Sequence, residues 1–475
     1  MLEPIVNNLK TFRDKIYHFF SFRRDATFEL IDSLSSNTTA TSVVELSLNS
    51  LHRRNYCSIT RSVDEFYPKN TDKKIKNNKL TKIMTKQCVF QTTRKYFLFA
   101  VDCTPNPRRY ASTQKDRGFV YAPNTISGNK PVTIGHQYSI VAFLPEKTDK
   151  NSPPWVVPLS CHRVTTDEKG AMIGMQQISQ CISSQEVFKT ALCVSVADSA
   201  YSNANLICES NKNTNQVHIS RLRNNRVLNY CADDEENTTK KGRKKCFGNQ
   251  FRLRDKTTWK TPNEEITFEA ASKKNKKQIV QIKCWNPMIM RGTKESNSSK
   301  HPLRLLQICV YKESGELLFK KPLWLIVSGE KRFELTLQDI FDCYRQRFDI
   351  EHFFRFGKNK LLMNKSQTPD VNHEEAWWQL TMIAYTQLYL ARDLAKNTPR
   401  PWEKYLPAFK SSKEISPTQV QKDFERIIQT FGTPAKPPKH RKKARGRQIG
   451  EKQIARVRYS VVQKSIVALP AAAAA

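Results

Sequence analysis

Two apolar runs of strand length stop on an aspartate: YFLFAVD ends at Asp102 and ALCVSVAD ends at Asp198. Both are rich in aromatic and β-branched residues, as is YSIVAFL at 138–144 between them. The polar, loosely periodic stretch at 175–190 predicts a crossover helix, SAYSNANLI after Asp198 a short helix, and VHISRLR a further strand. Strands alternating with helices imply a mixed α/β sheet. An Asp just past the last buried residue of a strand stands at the sheet's C-terminal edge, where such folds put their chemistry. Taken singly, it also serves as a strand-ending turn residue or a helix N-cap. If the two strands are neighbours, the carboxylates share one small volume and repel each other unless a divalent cation neutralises them.

A third acid follows in YRQRFDIEHFFRFGK. On a continuous helix with Arg347 as zero, Tyr344 falls near about 60°, Glu351 near about 40° and Lys358 near about 20°. One stripe then carries a carboxylate flanked by a guanidinium, an ammonium and a phenol, which suits holding a metal ion while gripping phosphates. The competing account is a solvated face with an Arg347–Glu351 pair worth tenths of a kcal/mol. Asp349 falls near about 200°, away from the stripe, so Glu351 is the candidate.

The charge balance supplies a partner. Lys and Arg total 79 against 44 Asp and Glu, a net +35, and an excess of that size points to a polyanion such as nucleic acid. No apolar run approaches the about 20 residues needed to span a bilayer, so no membrane partner is expected. The opening residues lack the apolar core of a secretion signal. The twelve cysteines form no CxxC pair and no Cys/His cluster at zinc spacing, as in a reduced, intracellular protein.

The order Asp, Asp, then Tyr-x2-Arg-x3-Glu-x6-Lys resembles the DDE transposases of bacterial insertion sequences that carry the Tyr–Arg–Glu–Lys signature. The match is complete at Tyr344, Arg347, Glu351 and Lys358, and VDCTP, GHQYS (135–139) and ADSAYS also look like that family's blocks. The resemblance covers roughly residues 90–395. It implies a ribonuclease H-like mixed sheet flanked by helices and interrupted by a β-rich insertion between the second Asp and the Glu. It implies two Mg²⁺ ions, replaceable by Mn²⁺, on Asp102, Asp198 and Glu351. A metal-activated water then cuts at a transposon end and the freed 3′-hydroxyl attacks target DNA. Tyr344, Arg347 and Lys358 grip phosphates in this scheme. Phe348 takes the place of an aromatic ring that stacks a flipped base in relatives forming hairpins, with a core role as the alternative. The partners implied are double-stranded DNA, as transposon ends and target, and a second copy, because synapsis needs two active sites. The expected location is the bacterial cytoplasm, on the nucleoid when bound to DNA.

The domain reading follows. Residues 1–90 are a helical N-terminal DNA-binding domain and linker, with Lys69–Lys82 as linker or phosphate-facing segment. Residues 91–224 are the first part of the catalytic core, 225–303 a basic β-rich insertion, 304–395 the second part of the core, and 396–475 a Pro-punctuated basic region. Arg108 and Arg109, soon after Asp102, and Lys244 and Lys245, in KKGRKK, are DNA-contact candidates. His136 either orients a carboxylate or phosphate or is structural. Rival readings are another ribonuclease H-like metal nuclease, such as a resolvase or repair enzyme, a catalytically inactive or domesticated DNA-binding derivative, and a basic chromatin component.

Overall fold

The computed structural model describes residues 2–463 except 89–92, 124–129, 148–150, 233–245, 272–276, 294–295, 297, 399, 403–404, 406–414, 440–449 and 451–454. Lys244, Lys245, most of KKNKK, the basic tail segment 440–449 and the terminal ALPAAAAA lie outside the described residues.

Five helices come first: α1 (Leu2–Phe19), α2 (Arg24–Ser35), α3 (Val43–Leu46), α4 (Cys57–Asp64) and α5 (Lys73–Thr85). Ser42 caps α3, which ends after one turn. The expected Lys/Asn linker is instead largely helix α5, capped by Asp72. Its Leu80 and Met84 are buried, and the Lys76 ammonium lies over the Phe19 and Phe66 rings, so a Lys-rich sequence still covers apolar surface.

Then follow β1 (Tyr96–Pro107), β2 (Gly118–Tyr121), β3 (Val132–Phe143) and β4 (Val157–Val164), helices α6 (Gly170–Ser183) and α7 (Glu186–Thr190), β5 (Leu192–Ala197), α8 (Ala204–Ser210) and β6 (Gln216–Leu222). β1, β3 and β4 make an antiparallel meander, and β5 and β6 continue the sheet parallel to β1. This is a ribonuclease H-like mixed sheet. Because β1 pairs with β5 in the register Ala100–Val196, two further steps bring Asp102 level with Asp198.

The chain continues through β7 (Val227–Cys231), β8 (Phe247–Arg252), β9 (Glu264–Ala271), β10 (Lys277–Ile289), β11 (Leu303–Lys312) and β12 (Leu323–Ser328). β12 returns antiparallel to β6, Trp324 opposite Leu222, so insertion and core share one sheet in the order β2-β3-β1-β5-β6-β12-β11-β10-β7-β8. β10 and β11, on either side of position 303, are neighbours in that sheet. Residues 317–322 form the tip between β11 and β12. A second, smaller core joins Leu228, Phe251 and Trp285 of the insertion to Trp324 of β12.

The last helices are α9 (Leu337–Gln346), α10 (Asp349–Lys360), α11 (Val371–Asn397) and α12 (Pro417–Phe431). The spacing of apolar residues predicts a single buried face for α11, yet residues 376–391 are buried all round. The reason is that α11 lies between β4 on one side and α1, α2 and α12 on the other. The N-terminal helices therefore belong to the main core: Arg13 bonds Asp32 at 2.6 Å and Gln387 at 2.6 Å, all buried. α12, inside the stretch read as a Pro-punctuated tail, buries Val420, Phe424, Ile427 and Ile428. Residues 455–463 lie against the loop after β1, with Tyr459 N–H donating to Ser112 O at 2.9 Å and Val462 N–H to Arg117 O at 2.8 Å.

Candidate active site

Asp102 lies on β1 and Asp198 one residue beyond β5, both half-buried. Asp198 is also a cap: its Oδ1 accepts from Ala200 N–H at 2.8 Å and starts the turn Ser199–Tyr201. Tyr201 is fully buried with its hydroxyl 3.6 Å from Cys103 Sγ, which ties that turn to the residue after Asp102. Burial and then the Asp198 charge push the Asp102 carboxyl up to about 7, with Glu351 adding to the rise and Arg347 and the Cys103 N–H opposing it.

The helix carrying the Tyr–Arg–Glu–Lys residues is not continuous. α9 ends at Gln346, Arg347 and Phe348 form a turn, and α10 starts at Asp349. Bonds from Ile350 N–H to Arg347 O and from Glu351 N–H to Phe348 O tighten the joint while keeping it right-handed. Across it, Arg347 still reaches Glu351, Nη2 to Oε1 at 3.1 Å. Its guanidinium lies 4.4 Å from the Phe348 ring centre and 5.4 Å from that of Tyr344. Tyr344 is buried, whereas Phe348 is 47% exposed. Arg347 Nε is buried with no partner among the described residues, a donor left for an anion. Lys358 donates to Thr104 Oγ1 at 2.6 Å and Pro105 O at 2.9 Å, which pins α10 to β1 just past Asp102. Burial lowers its ammonium to about 8, against the opposing pull of Asp102.

Among the described residues no three His, Cys, Asp or Glu side chains stand close enough to hold a metal ion. Asp102 and Asp198 suit a divalent cation, being hard oxygen donors whose mutual repulsion a cation would relieve. Glu351, engaged by Arg347, is not in ligating position. Asp349 pairs with Lys147 at 2.7 Å, away from this role.

The other candidates part ways. Arg109 is exposed beside Tyr110, but Arg108 turns inward to Glu374 at 2.7 Å and to the Asn364 and Ser366 carbonyls. Glu374, in the first turn of α11, is fully buried, and no sequence pattern singles it out. It also accepts from Tyr138 at 2.8 Å and Gln114 at 2.9 Å, and lies 2.9 Å from His136 Nδ1. Burial raises the Glu374 carboxyl, but the His136 hydrogen bond and the Arg108 charge outweigh it and hold it well below the usual carboxylate range. The GHQYS block thus serves a buried carboxylate, and its Gly135 has a steric reason: a Cβ there would sit 2.3 Å from Asn106 O and 2.9 Å from Arg108 N. Gly135→Ala is expected to cost about 1–3 kcal/mol by overpacking at the end of β1, read as a lowered urea midpoint with unchanged slope.

A ribonuclease H-like sheet with two level, strand-end aspartates, followed by a helix that carries a glutamate, makes the frame of a DDE-type nuclease. The model of the DDE superfamily endonuclease family matches residues 16–284, more than half of the chain, and the chain belongs to that family. The match takes in Asp102 and Asp198 and stops before Glu351. Nucleases of this superfamily generally use divalent metals. No curated protein matches the chain. Among solved structures, the cryo-EM structure of the piggyBac transposase synaptic complex with hairpin DNA is similar at a TM-score of 0.40 and 9% identity, covering 88% of this chain and 71% of that one.

Proposed function

We propose that this chain is a transposase that cuts the ends of a mobile element in double-stranded DNA and joins the freed 3′-hydroxyls to target DNA. The observation that carries the reading is the placement of Asp102 level with Asp198, with Arg347, Glu351 and Lys358 within electrostatic reach of Asp102. Asp102 and Asp198 would hold Mg²⁺, and Glu351 would join them on exchanging Arg347 for it. A divalent cation there supplies Lewis-acid polarisation of the scissile phosphate and an acidified water for attack. Arg347, with its unpaired Nε, binds a phosphate oxygen, and Lys358 adds a point charge beside β1. Cutting and joining are both displacements at phosphorus, so one site serves both. Two copies would act together on two ends, in the bacterial cytoplasm.

The test first sequences the DNA flanking the gene and then uses a labelled duplex bearing any inverted repeats it carries. Mg²⁺-dependent cutting is expected. Arg347→Ala should slow it by about 10²–10³-fold, the loss typical of one preorganised transition-state donor. Cutting that survives chelation sinks the reading. One observation favours a second account, a DNA-binding derivative without catalysis: Glu351 is paired with Arg347 and no three acids close on one point among the described residues. In that case the duplex is bound and never cut.

A further inference from the structure

A cleft of about 1820 Å³ opens beside Ser199 and Tyr344 and runs between α9 and the tip joining β11 to β12. That is larger than the about 300–1,000 Å³ of ordinary small-molecule pockets, so a polymer is the better fit. Its walls carry Arg221, Arg254, Lys320, Lys321 and Arg345, all exposed, and none pairs with a carboxylate among the described residues. Arg345 instead lies 5.4 Å from the Phe341 ring centre. Apolar side chains line it too: Leu317 and Phe348 are exposed at its surface, with Ile308 and Phe341 buried beneath. Phe319, on the tip, is 62% exposed.

Cations alone would suit any polyanion. The apolar surface beside them narrows the choice. A duplex turns its phosphates outward and would leave that surface facing stacked, paired bases it cannot reach. An unpaired strand can lay its bases on the apolar floor and stack on an aromatic ring while its phosphates meet the cations. We propose that this cleft binds a segment of unpaired DNA continuous with the strand at the Asp102–Asp198 site. Phe319 supplies the stacking face, and Lys320 and Lys321 bind phosphates. The proposal rests on the chain acting on DNA at that site.

The experiment measures anisotropy of the full chain with a labelled oligothymidylate, which cannot pair with itself, and with a duplex of equal length. Phe319→Ala is expected to weaken oligothymidylate binding about tenfold and leave the duplex unchanged. Lys320→Glu with Lys321→Glu should lower the salt slope by about 0.7 for each phosphate that is no longer neutralised. Unchanged oligothymidylate affinity in both variants overturns the assignment, as does an equal loss on the duplex. A shift in sedimentation coefficient in these variants also overturns it, since the cleft would then be an interface between copies. If the parent chain cuts end duplexes while oligothymidylate binding ignores the variants, only the cleft assignment falls. If the parent neither binds nor cuts DNA, the functional reading falls first.

Discussion

Asp102→Asn is expected to slow cutting severely and, at pH 8 without metal, to raise the thermal midpoint of the protein. The two effects share one cause. In the fold, burial and the neighbouring Asp198 raise the Asp102 carboxyl from 3.8 to about 7. Between those values the native state holds a proton that the unfolded chain has released, so stability falls as pH rises through that window and stays low above it. At about 1.36 kcal/mol per pH unit, the penalty reaches on the order of 4 kcal/mol. Asn keeps the acceptor for the Cys103 N–H, at 2.8 Å in the parent, and removes the charge. The variant's stability should therefore lack this downward leg between pH 4 and 7. Added Mg²⁺ or Mn²⁺ should raise the parent's midpoint at pH 8 and do little for the variant, while cutting falls by on the order of a hundredfold or more. Protons compete with the cation for Asp102, so the parent's apparent metal affinity should weaken as pH drops below about 7. A variant that melts at or below the parent temperature without metal would contradict this electrostatic account.

Glu374→Gln is expected to give the largest loss of stability among the polar substitutions, about 3–5 kcal/mol, because it leaves the Arg108 charge in the interior without a counter-charge. The same change should slow cutting through position, since Arg108 joins the end of β1 to the loop carbonyls of Asn364 and Ser366 between α10 and α11. Adding Arg108→Met to Glu374→Gln should recover part of the stability, and chemical denaturation of both single variants and the double variant measures the coupling. The sign with pH is opposite to that of Asp102. Glu374 lies below its ordinary 4.5 in the fold, so its contribution is complete above that value and is lost as pH falls toward the depressed one. The parent should show an acid-unfolding leg that the Gln variant lacks.

How far the fold and site are legible in the sequence depends on how local each signal is. The aspartates can be read because each ends an apolar run of fixed period, and register then does the rest through β1 and β5. The Tyr–Arg–Glu–Lys residues can be read by spacing, although the break at Arg347–Phe348 cannot, since both residues keep right-handed helical angles. Glu374 is hidden because an acid in the first turn of a helix is what the helix dipole favours anyway. Its four hydrogen-bond partners come from β3 and the loop after β1, far away in sequence. Arg108 misleads for the same reason: an arginine near an active-site strand looks like a phosphate ligand until its carboxylate is found. The N-terminal helices show their apolar faces in sequence, but nothing local says that those faces meet α11. Helix α12 is legible in principle, with Val420, Phe424, Ile427 and Ile428 at helical spacing, and the surrounding prolines mask it.

The hydrogen-bonded seam between β6 and β12 has a mechanical consequence. An insertion hung on two flexible strands could swing like a flap, opening and closing over DNA. Here it is riveted edge to edge to the strand beside β5, so it moves as part of one stiff plate with Asp198. Under the proposed function, force from DNA on the far strands would reach the edge that carries Asp198 through backbone hydrogen bonds. Adjustment at the site falls instead to the short turn at Arg347 and Phe348, the thinnest part of the lever that carries Glu351.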